Sequence, residues 1–458
     1  MKERFELLEK AILTMVEDKK YATLRDILVT VNPADIAGIF NSLDDKRIPL
    51  MFRLLPKELA AETFVEMEPE DQELLIRGFS DNELKEVLDE LYVDDAVDII
   101  EEMPANVVRR ILTQADPEMR KSINQILRYP ENSAGAWMTT EYVSLRPSMT
   151  VEEAILRIRR QGVDKETIYT CYVTKDRKLL GIVTVKDLLL AEDDEMLISD
   201  LMVTELISVN THTDQEEVAS MFSKYDFLAM PVVDNENRMV GIVTVDDAID
   251  VMEEEATEDI ELMGGMLPSE DTYLRSSVWE LFKNRIPWLL FLMLSATFTG
   301  MIINGFEDAL ATQMVLSAFI PMLMGTGGNS GSQSSVTIIR ALSLDEVEFS
   351  DLPKVVWKEI RTAVICGLAL SVVCFIKIWL VDRLLFGNPD ITLMVDAVVC
   401  LAMFVTVLLA KTVGAVLPMV AKVLKLDPAV MASPFITTIV DALSLLIYFL
   451  FATMLLGI

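Results

Sequence analysis

Five apolar segments of membrane-spanning length, at roughly 286–303, 310–339, 362–381, 393–423 and 431–456, fill the C-terminal part of the chain. A bilayer interior offers no water to unpaired backbone groups, so runs of this kind fold as helices that close their hydrogen bonds internally. Five spans put the two chain ends on opposite sides. Arg275, Lys283 and Arg285 precede the first span, Arg340, Lys354, Lys358 and Arg361 separate the second from the third, and Lys422 and Lys425 separate the fourth from the fifth. The opposite loops carry only Arg383. Basic loops stay on the cytoplasmic side, which places the N-terminus inside and the C-terminus outside a plasma (inner) membrane.

The fifth segment, MASPFITTIVDALSLLIYFLF over 431–451, contains a carboxylate, Asp441. A charge near the bilayer centre costs about 2.5–3.5 kcal/mol on insertion scales, so it is expected where it faces protein or water and has a task there. Asp441 is the first functional candidate, and its bland alternative is an ion pair with Lys411 or Lys377 in other apolar segments. The second segment contains PMLMGTGGNSGSQSS from Pro321. Gly327 and Gly331 form a GxxxG pair, and Gly325, Gly328, Ser330 and Ser334 keep the helix small, so another backbone can approach closely. Helix packing is the simpler account of the glycines. The amides of Asn329 and Gln333 are costly in lipid without a partner and point to a pore-facing or inter-helix role.

Charge divides as unevenly as hydropathy. Residues 1–270 carry 28 basic and 58 acidic side chains and residues 271–458 carry 12 and 14, so the net charge of −32 splits into −30 and −2. An acidic surface repels nucleic acid and anionic lipid, which leaves cations as the natural partner. Cys171, Cys366, Cys374 and Cys400 have no metal or disulfide spacing, and three of them lie in apolar segments as small hydrophobes. The start, MKERFELLEK, lacks the apolar core of a signal peptide.

Up to about residue 130 the chain reads as short amphipathic helices. Ser42 with Asp45 and Ser80 with Glu83 have capping-box spacing, and Pro56, Pro69, Pro104 and Pro117 stand where a first helical turn tolerates proline. Leu84, Val87, Leu88 and Leu91 recur at helical spacing. A superhelix of helical hairpins is expected. Its acids, including Glu58, Glu62, Glu66, Asp89, Asp94, Asp95 and Asp98, are most simply a solvated face.

Residues 131–253 contain a duplication. MTTEYVSL…CYVTKDRKLLGIVTVKDLL from Met138 matches MVTELISV…PVVDNENRMVGIVTVDDAI from Met202. The GIVTV runs begin at Gly181 and Gly241 and are followed by Asp187 and Asp247. Each copy predicts a βαββα unit. The pair resembles tandem cystathionine-β-synthase (CBS) domains. That resemblance implies a regulatory module able to bind an adenine nucleotide, with Thr184 and Asp187 or Thr244 and Asp247 at the ribose and Tyr169 stacking on the base. The alternative is that each Thr–Asp pair only caps the following helix. Neither a P-loop nor a GxGxxG is present, which argues against nucleotide hydrolysis.

No basic residue stands between Arg238 and Arg275, yet nine acids occupy positions 246–261. Ile249, Met252, Ala256, Ile260 and Met263 recur at helical spacing, which predicts a helix with one apolar stripe and an acidic remainder. Like charges at i and i+4, such as Asp246, Asp250, Glu254 and Glu258, each cost about 0.2–0.5 kcal/mol, and divalent cations would offset them. Gly264, Gly265 and Pro268 then break the helix.

The order of acidic helical domain, CBS pair, acidic linking helix and five spans, with PMLMGTGGNSGSQ and ASPFITTIVD, resembles the MgtE family of magnesium channels over the whole chain. The resemblance implies a multidomain protein: an α-helical N-terminal superhelix (1–130), an α/β CBS pair (131–253), the rest of a linking helix and a hinge (254–273), and a five-helix membrane domain (274–458). It implies a homodimer with one magnesium-selective pore at the subunit interface, shut by high cytosolic magnesium and tuned by ATP at the CBS pair. Asp441 becomes the pore carboxylate. Ser433, Pro434 and Thr437, with Asn329 and Gln333, line the path to it; some members carry an amide at the position of Ser433.

Candidate regulatory ligands are Asp246, Asp247, Asp250, Glu254, Glu255, Glu258 and Asp259 of the linking helix, Glu216 and Asp226 of the second repeat, and Glu58, Asp89, Asp94 and Asp95 of the N-terminal domain. One carboxylate per subunit suits magnesium, which keeps several of its waters, and a single histidine, His212, argues against zinc or copper. A CBS-regulated channel for another ion is the alternative. An anion channel would need basic groups in the pore, and an intramembrane enzyme a second reactive group; the nearest other acid in a span is Asp396.

Overall fold

The computed structural model describes residues 2–269, 273 and 276–457, without the side chains of residues 2–4, 164 and 433. Arg275, counted above among the basic residues ahead of the first span, lies outside the described residues. The chain forms two compact units, Met1–Met252 and Glu253–Ile458.

The first unit opens with ten short helices: α1 (Lys2–Glu17), α2 (Tyr21–Leu28), α3 (Pro33–Phe40), α4 (Ile48–Phe52), α5 (Lys57–Val65), α6 (Pro69–Gly78), α7 (Asp81–Leu88), α8 (Val93–Glu102), α9 (Ala105–Gln114) and α10 (Pro117–Ile126). Each buries one face; in α7 it is Leu84, Val87 and Leu88. The Ser80–Glu83 capping box forms, with the Ser80 N–H donating to Glu83 and the Glu83 N–H to Ser80 Oγ. Pro69 and Pro117 take the first helical position, where the missing N–H costs nothing. Pro56 and Pro104 stand one residue earlier, as N-caps. The box expected at Ser42 and Asp45 does not form. The Ser42 hydroxyl instead donates to Glu9 Oε1 at 2.5 Å, because an ionised carboxylate is a stronger acceptor than any local group, and helix resumes only at Ile48.

The two repeats follow as βαββα units. The first comprises β1 (Tyr142–Leu145), α11 (Val151–Gln161), β2 (Thr167–Lys175), β3 (Lys178–Thr184) and α12 (Val185–Leu189). After α13 (Ile198–Leu201), the second comprises β4 (Val209–Asn210), α14 (Gln215–Tyr225), β5 (Ala229–Val233), β6 (Met239–Thr244) and α15 (Val245–Met263). In each three-stranded sheet the first two strands pair parallel and the last two antiparallel. One hydrophobic core runs from the helical domain into the second repeat, through Met138, Val209, Met230 and Val243.

Helix α15 belongs to both units, and its expected apolar stripe is mostly uncovered. Ile249, Met252 and Ile260 are exposed by 57%, 43% and 64%. Burial goes instead to Ala248 and Val251 in the first unit; in the second, Leu262 and, alone of the expected stripe, Met263 are partly buried against Ile339, Ala429 and Ala432. Sequence period sets which residues share a face; neighbours decide which face is covered.

The second unit continues with α16 (Val278–Gly305), α17 (Glu307–Thr312), α18 (Ile320–Ser343), α19 (Leu352–Lys377), α20 (Leu393–Val423) and α21 (Ser433–Leu456). Among the described residues four helical stretches are long and apolar enough to cross a membrane: α16, α19 with its flanking turns, α20, and α21 with the turn before it. The expected second span is divided into α17, a 3-10 turn at Met314–Phe319, and α18. Its glycines, serines and amides separate α18 from the apolar four, yet α18 is the helix that packs on both α20 and α21. Helix α16 buries no residue within the chain. The core gathers Phe319, Leu323, Val398, Met403, Leu445 and Tyr448, and the buried Tyr448 hydroxyl donates to the Leu316 carbonyl at 2.9 Å.

Candidate functional site

Asp441 sits half-buried in the middle of α21, with no hydrogen bond or ion pair to another described residue. Lys411 and Lys377, the two lysines weighed as its partners, are engaged elsewhere. Lys411, 6% exposed, donates to Ser334 Oγ at 3.3 Å, and Ser334 donates to Glu359 Oε2 at 2.6 Å. Lys377 pairs with Asp382 at 2.7 Å. The structural ion pair is therefore not the role of Asp441 in this fold.

Helix α18 reaches α20 and α21 through its small residues. A Cβ added at Gly327 would lie 2.7 Å from Thr406 Cγ2 and 2.8 Å from Ser444 Oγ, and one at Gly331 would lie 2.7 Å from Ile436 Cγ2. Both are closer than carbon atoms approach, so these glycines serve packing, as the simpler account has it. Asn329 and Gln333 occupy the opposite, exposed face of α18. Their amides make no hydrogen bond to another described residue, so an inter-helix role within one chain is not what the fold provides. On α21, Thr437 and Thr438 donate to the Pro434 carbonyl at 2.9 and 3.1 Å, and Thr437 packs where a Cβ on Gly328 would stand. The Ser433 side chain lies outside the described residues.

The first unit gathers acids from distant parts of the chain. Asp94 and Asp95 open α8 and meet Glu141, Glu166, Asp246 and Asp247 of the repeats. The Val93 N–H donates to Glu141 Oε2 at 3.1 Å. Asp94 is buried, and its Oδ1 has no hydrogen-bond partner. Burial first, and then the neighbouring carboxylates, hold Asp94 well above the usual carboxylate range and push Asp95 up to about 7 and Glu166 to about 8. Asp247 is raised to about 6 by burial, against the hydrogen bond from Thr244 that favours its charged form. Among the described residues none of these four makes an ion pair with a lysine or arginine, and the largest influences on them are burial, other carboxylates and local hydrogen bonds. Asp98 stands at the solvent-open edge, and Asp250 acts on Glu66.

Of the other candidates, Glu58, Asp89 and Glu216 are exposed. Asp226 closes α14 in a left-handed conformation (φ 54°) and lines a different cavity. Glu141 and Glu166 escape a reading by period or motif, since nothing local marks either.

A second acidic group lies in the second unit. Glu258 and Asp259 of α15 are raised by burial and by the charges of Glu255 and of Asp427, which caps the turn before α21. Ser343 donates to Asp259 Oδ2 at 3.4 Å. Glu254, one turn earlier, faces solvent. Asp427 lacks a sequence signal beyond its N-cap position. Among the described residues no three acid, cysteine or histidine side chains form a ready-made metal cage. A hard cation that keeps part of its water shell needs none.

The CBS pair holds a cavity of about 900 Å³, lined by Tyr169, Thr184 and Lys186 of the first repeat and by Asp226, Phe227 and Pro231 of the second. Tyr169 is 67% exposed there. Thr184 and Asp187 form a complete capping box, with the Thr184 hydroxyl 2.5 Å from Asp187 Oδ2. Thr244 donates to Asp247 Oδ2 at 2.5 Å. The two pairs thus share capping chemistry but not surroundings, since Thr184 faces the cavity while Asp247 belongs to the acidic group.

An unpaired carboxylate in a span, a polar face on a small-residue helix, and a CBS pair beside clustered acids are the features of an ion-transport protein. Three family models match in series: an intracellular N domain over 31–132, CBS domains over 134–194 and 198–254, and a divalent cation transporter domain over 320–451. The chain is 36% identical over 438 residues to the magnesium transporter MgtE of Thermus thermophilus, covering 94% of this chain and 95% of that protein. It is 33% identical over 443 residues to MgtE of Bacillus subtilis, covering 96% of each. A crystal structure of the cytosolic domain of the Mg2+ channel MgtE in complex with ATP is 36% identical and covers 53% of this chain and 99% of that one, with a TM-score of 0.51. The chain belongs to the MgtE family, a family of transporters and not of enzymes.

Proposed function

We propose that this protein is a magnesium-selective channel, a homodimer that admits Mg2+ across the plasma membrane through a path lined by Asp441. The observation that carries this reading is the carboxylate itself, set in an apolar helix with no cation among the described residues to neutralise it. Two chains would bring two such carboxylates to a hydrated ion, which suits magnesium better than the oxygen cage calcium prefers. Asn329 and Gln333, exposed on α18, require water or a partner chain at membrane depth, and a water-filled path between two copies supplies both. Helix α18 then serves as a fifth span shielded from lipid, with the C-terminus outside and both acidic groups in the cytoplasm.

Cytosolic magnesium closes the path by binding the acids. The fit rests on Asp94, Asp95, Glu166 and Asp247, held together without counter-charge, and on Glu258, Asp259 and Asp427. A divalent cation relieves the repulsion only where these residues are close, so it favours the compact form by its differential affinity. ATP occupies the 900 Å³ cavity of the CBS pair, a reading supported by the ATP complex of the related cytosolic domain. The test is magnesium flux into liposomes. Wild type should carry Mg2+ and Asp441→Ala should not, with the dimer intact by light scattering; equal flux in the two, or preferential anion flux, would sink the proposal.

A further inference from the structure

The first CBS repeat has a second cavity, of about 430 Å³, lined by Tyr142 and Ser144 of β1, Arg157, Arg160 and Gln161 of α11, and Lys165 just beyond. Local structure puts those residues together. Strand β1 is the edge of its sheet, and its alternation buries Val143 and Leu145 while Tyr142 and Ser144 face the other way. Helix α11 buries Val151, Ala154 and Ile158, so Arg157, Arg160 and Gln161, spaced by three and four, share a neighbouring face.

Each of the six lining side chains can donate a hydrogen bond, and none is a carboxylate. That is unexpected where residues 1–270 hold 58 acids and 28 bases. Arg53 and Lys57 in the same unit find Glu83 and Glu86, whereas Arg157, Arg160 and Lys165 make no ion pair with any described residue. The nearby acids face another way: Glu141 accepts from the Val93 N–H and the Thr139 hydroxyl, and Glu166 faces Asp95 and Asp247. Arg157 Nε is buried with no hydrogen-bond partner, and a buried donor is costly unless something accepts from it. The Tyr142 ring stands edge-on to Tyr172, 5.7 Å away at 88°, which steadies one wall.

Two guanidinium forks with an ammonium and two hydroxyls are the donor set that recognises phosphoryl oxygens. We propose that this cavity binds a small phosphorylated metabolite or free pyrophosphate, held by Arg157, Arg160 and Lys165. It shares no residue with the larger cavity of the CBS pair, so the inference stands whether or not ATP occupies that one.

Calorimetric titration of the full chain in nanodiscs of zwitterionic lipid, in buffer free of divalent cations, tests it with inorganic pyrophosphate and ribose 5-phosphate as separate probes. At least one should bind. Tighter pyrophosphate binding assigns the site to the free anion, and tighter ribose 5-phosphate binding to an ester. Arg157→Gln with Arg160→Gln should weaken the better probe by about tenfold or more, the loss expected for two charge-assisted hydrogen bonds. Lys165→Gln should weaken it less, and Arg160→Lys should retain part of what Arg160→Gln loses. If the double variant melts early, Lys165→Gln at a half-buried position and Arg160→Gln at an exposed one decide the matter singly. No heat from either probe at millimolar concentration, or unchanged affinity in the folded variants, would overturn the proposal.

Discussion

Lys411 and Ser334 meet at 3.3 Å across α20 and α18, and the serine passes the connection on to Glu359 of α19. Three helices are joined by one polar chain in which the lysine is almost wholly buried. The consequence falls on a residue that is not part of it. Lys411 is one of two cations in the apolar segments that could neutralise Asp441, and the Ser334 contact removes it, as the Asp382 pair removes Lys377.

Lys411→Met leaves the Glu359 carboxylate with the Ser334 hydroxyl and removes the buried ammonium at the other end of the chain of contacts. Breaking a buried charged network at one end costs about 3 kcal/mol, so the thermal midpoint of the full chain in detergent should drop clearly. Lys411→Met with Glu359→Gln should recover part of the loss, as a double-mutant cycle would record. Asp441→Asn, with no partner to lose, should leave the midpoint nearly unchanged while flux falls.

The glycines of α18 should separate by position. Gly327→Leu or Gly331→Leu drives a side chain into Thr406, Ser444 or Ile436, and overpacking of this kind costs about 1–3 kcal/mol or more. Gly325 has nothing within 4 Å of an added Cβ. Gly325→Ala should be neutral or stabilising, by up to about 1 kcal/mol from helix propensity. Melting curves of the three variants check both statements.

The acidic group of the first unit predicts how stability follows pH. Asp95, Glu166 and Asp247 titrate near 7, 8 and 6 in the folded chain and near 4 when unfolded. The folded state therefore holds more protons between about pH 4 and pH 8, and its stability falls as pH rises through that window. In chelator, the first unfolding transition should be lower at pH 8 than at pH 5.5. Magnesium should shrink the difference, and Asp95→Asn with Glu166→Gln should flatten it. A transition that rises with pH in chelator contradicts the described surroundings of these acids.

Nucleotide binding should depend on the residues that line the CBS cavity and not on the Thr244–Asp247 pair. Tyr169→Ala removes a stacking surface worth about 1–3 kcal/mol per base, so ATP affinity should fall between about fivefold and a hundredfold in fluorescence titration of the full chain. Lys186→Gln should weaken ATP more than adenosine. Asp247→Asn should leave ATP affinity unchanged, because its carboxylate belongs to the acidic group.

The elements were largely legible in the sequence, and the reason is local. The helices α6 to α10 have their stops and starts within a few residues of themselves, and 393–423 is helical from end to end as its hydropathy indicates. The duplicated GIVTV runs mark β3 and β6 because a repeat announces itself without a partner. Asp441 stands out for the same reason: one charge in an apolar helix is an exception visible at a single position. Family models and relatives then bear out the family that the order of domains and the two membrane motifs suggest.

What the sequence by itself determined, then, is most of the helices and strands, the CBS duplication and the isolation of one carboxylate, set by hydrogen bonds and hydrophobic period over a few residues. Tertiary structure alone decided which charges meet. Val93 finds Glu141 across 48 positions, Lys411 finds Ser334 across 77, and Ser42 turns from its own helix start to Glu9 across 33. It also chose which apolar stripe of α15 is covered and left Arg157 and Arg160 without an ion pair to any described acid. Charges and hydroxyls act through space on whatever packing brings near, and in a chain with 72 acids no spacing rule says which few will be brought together out of reach of water.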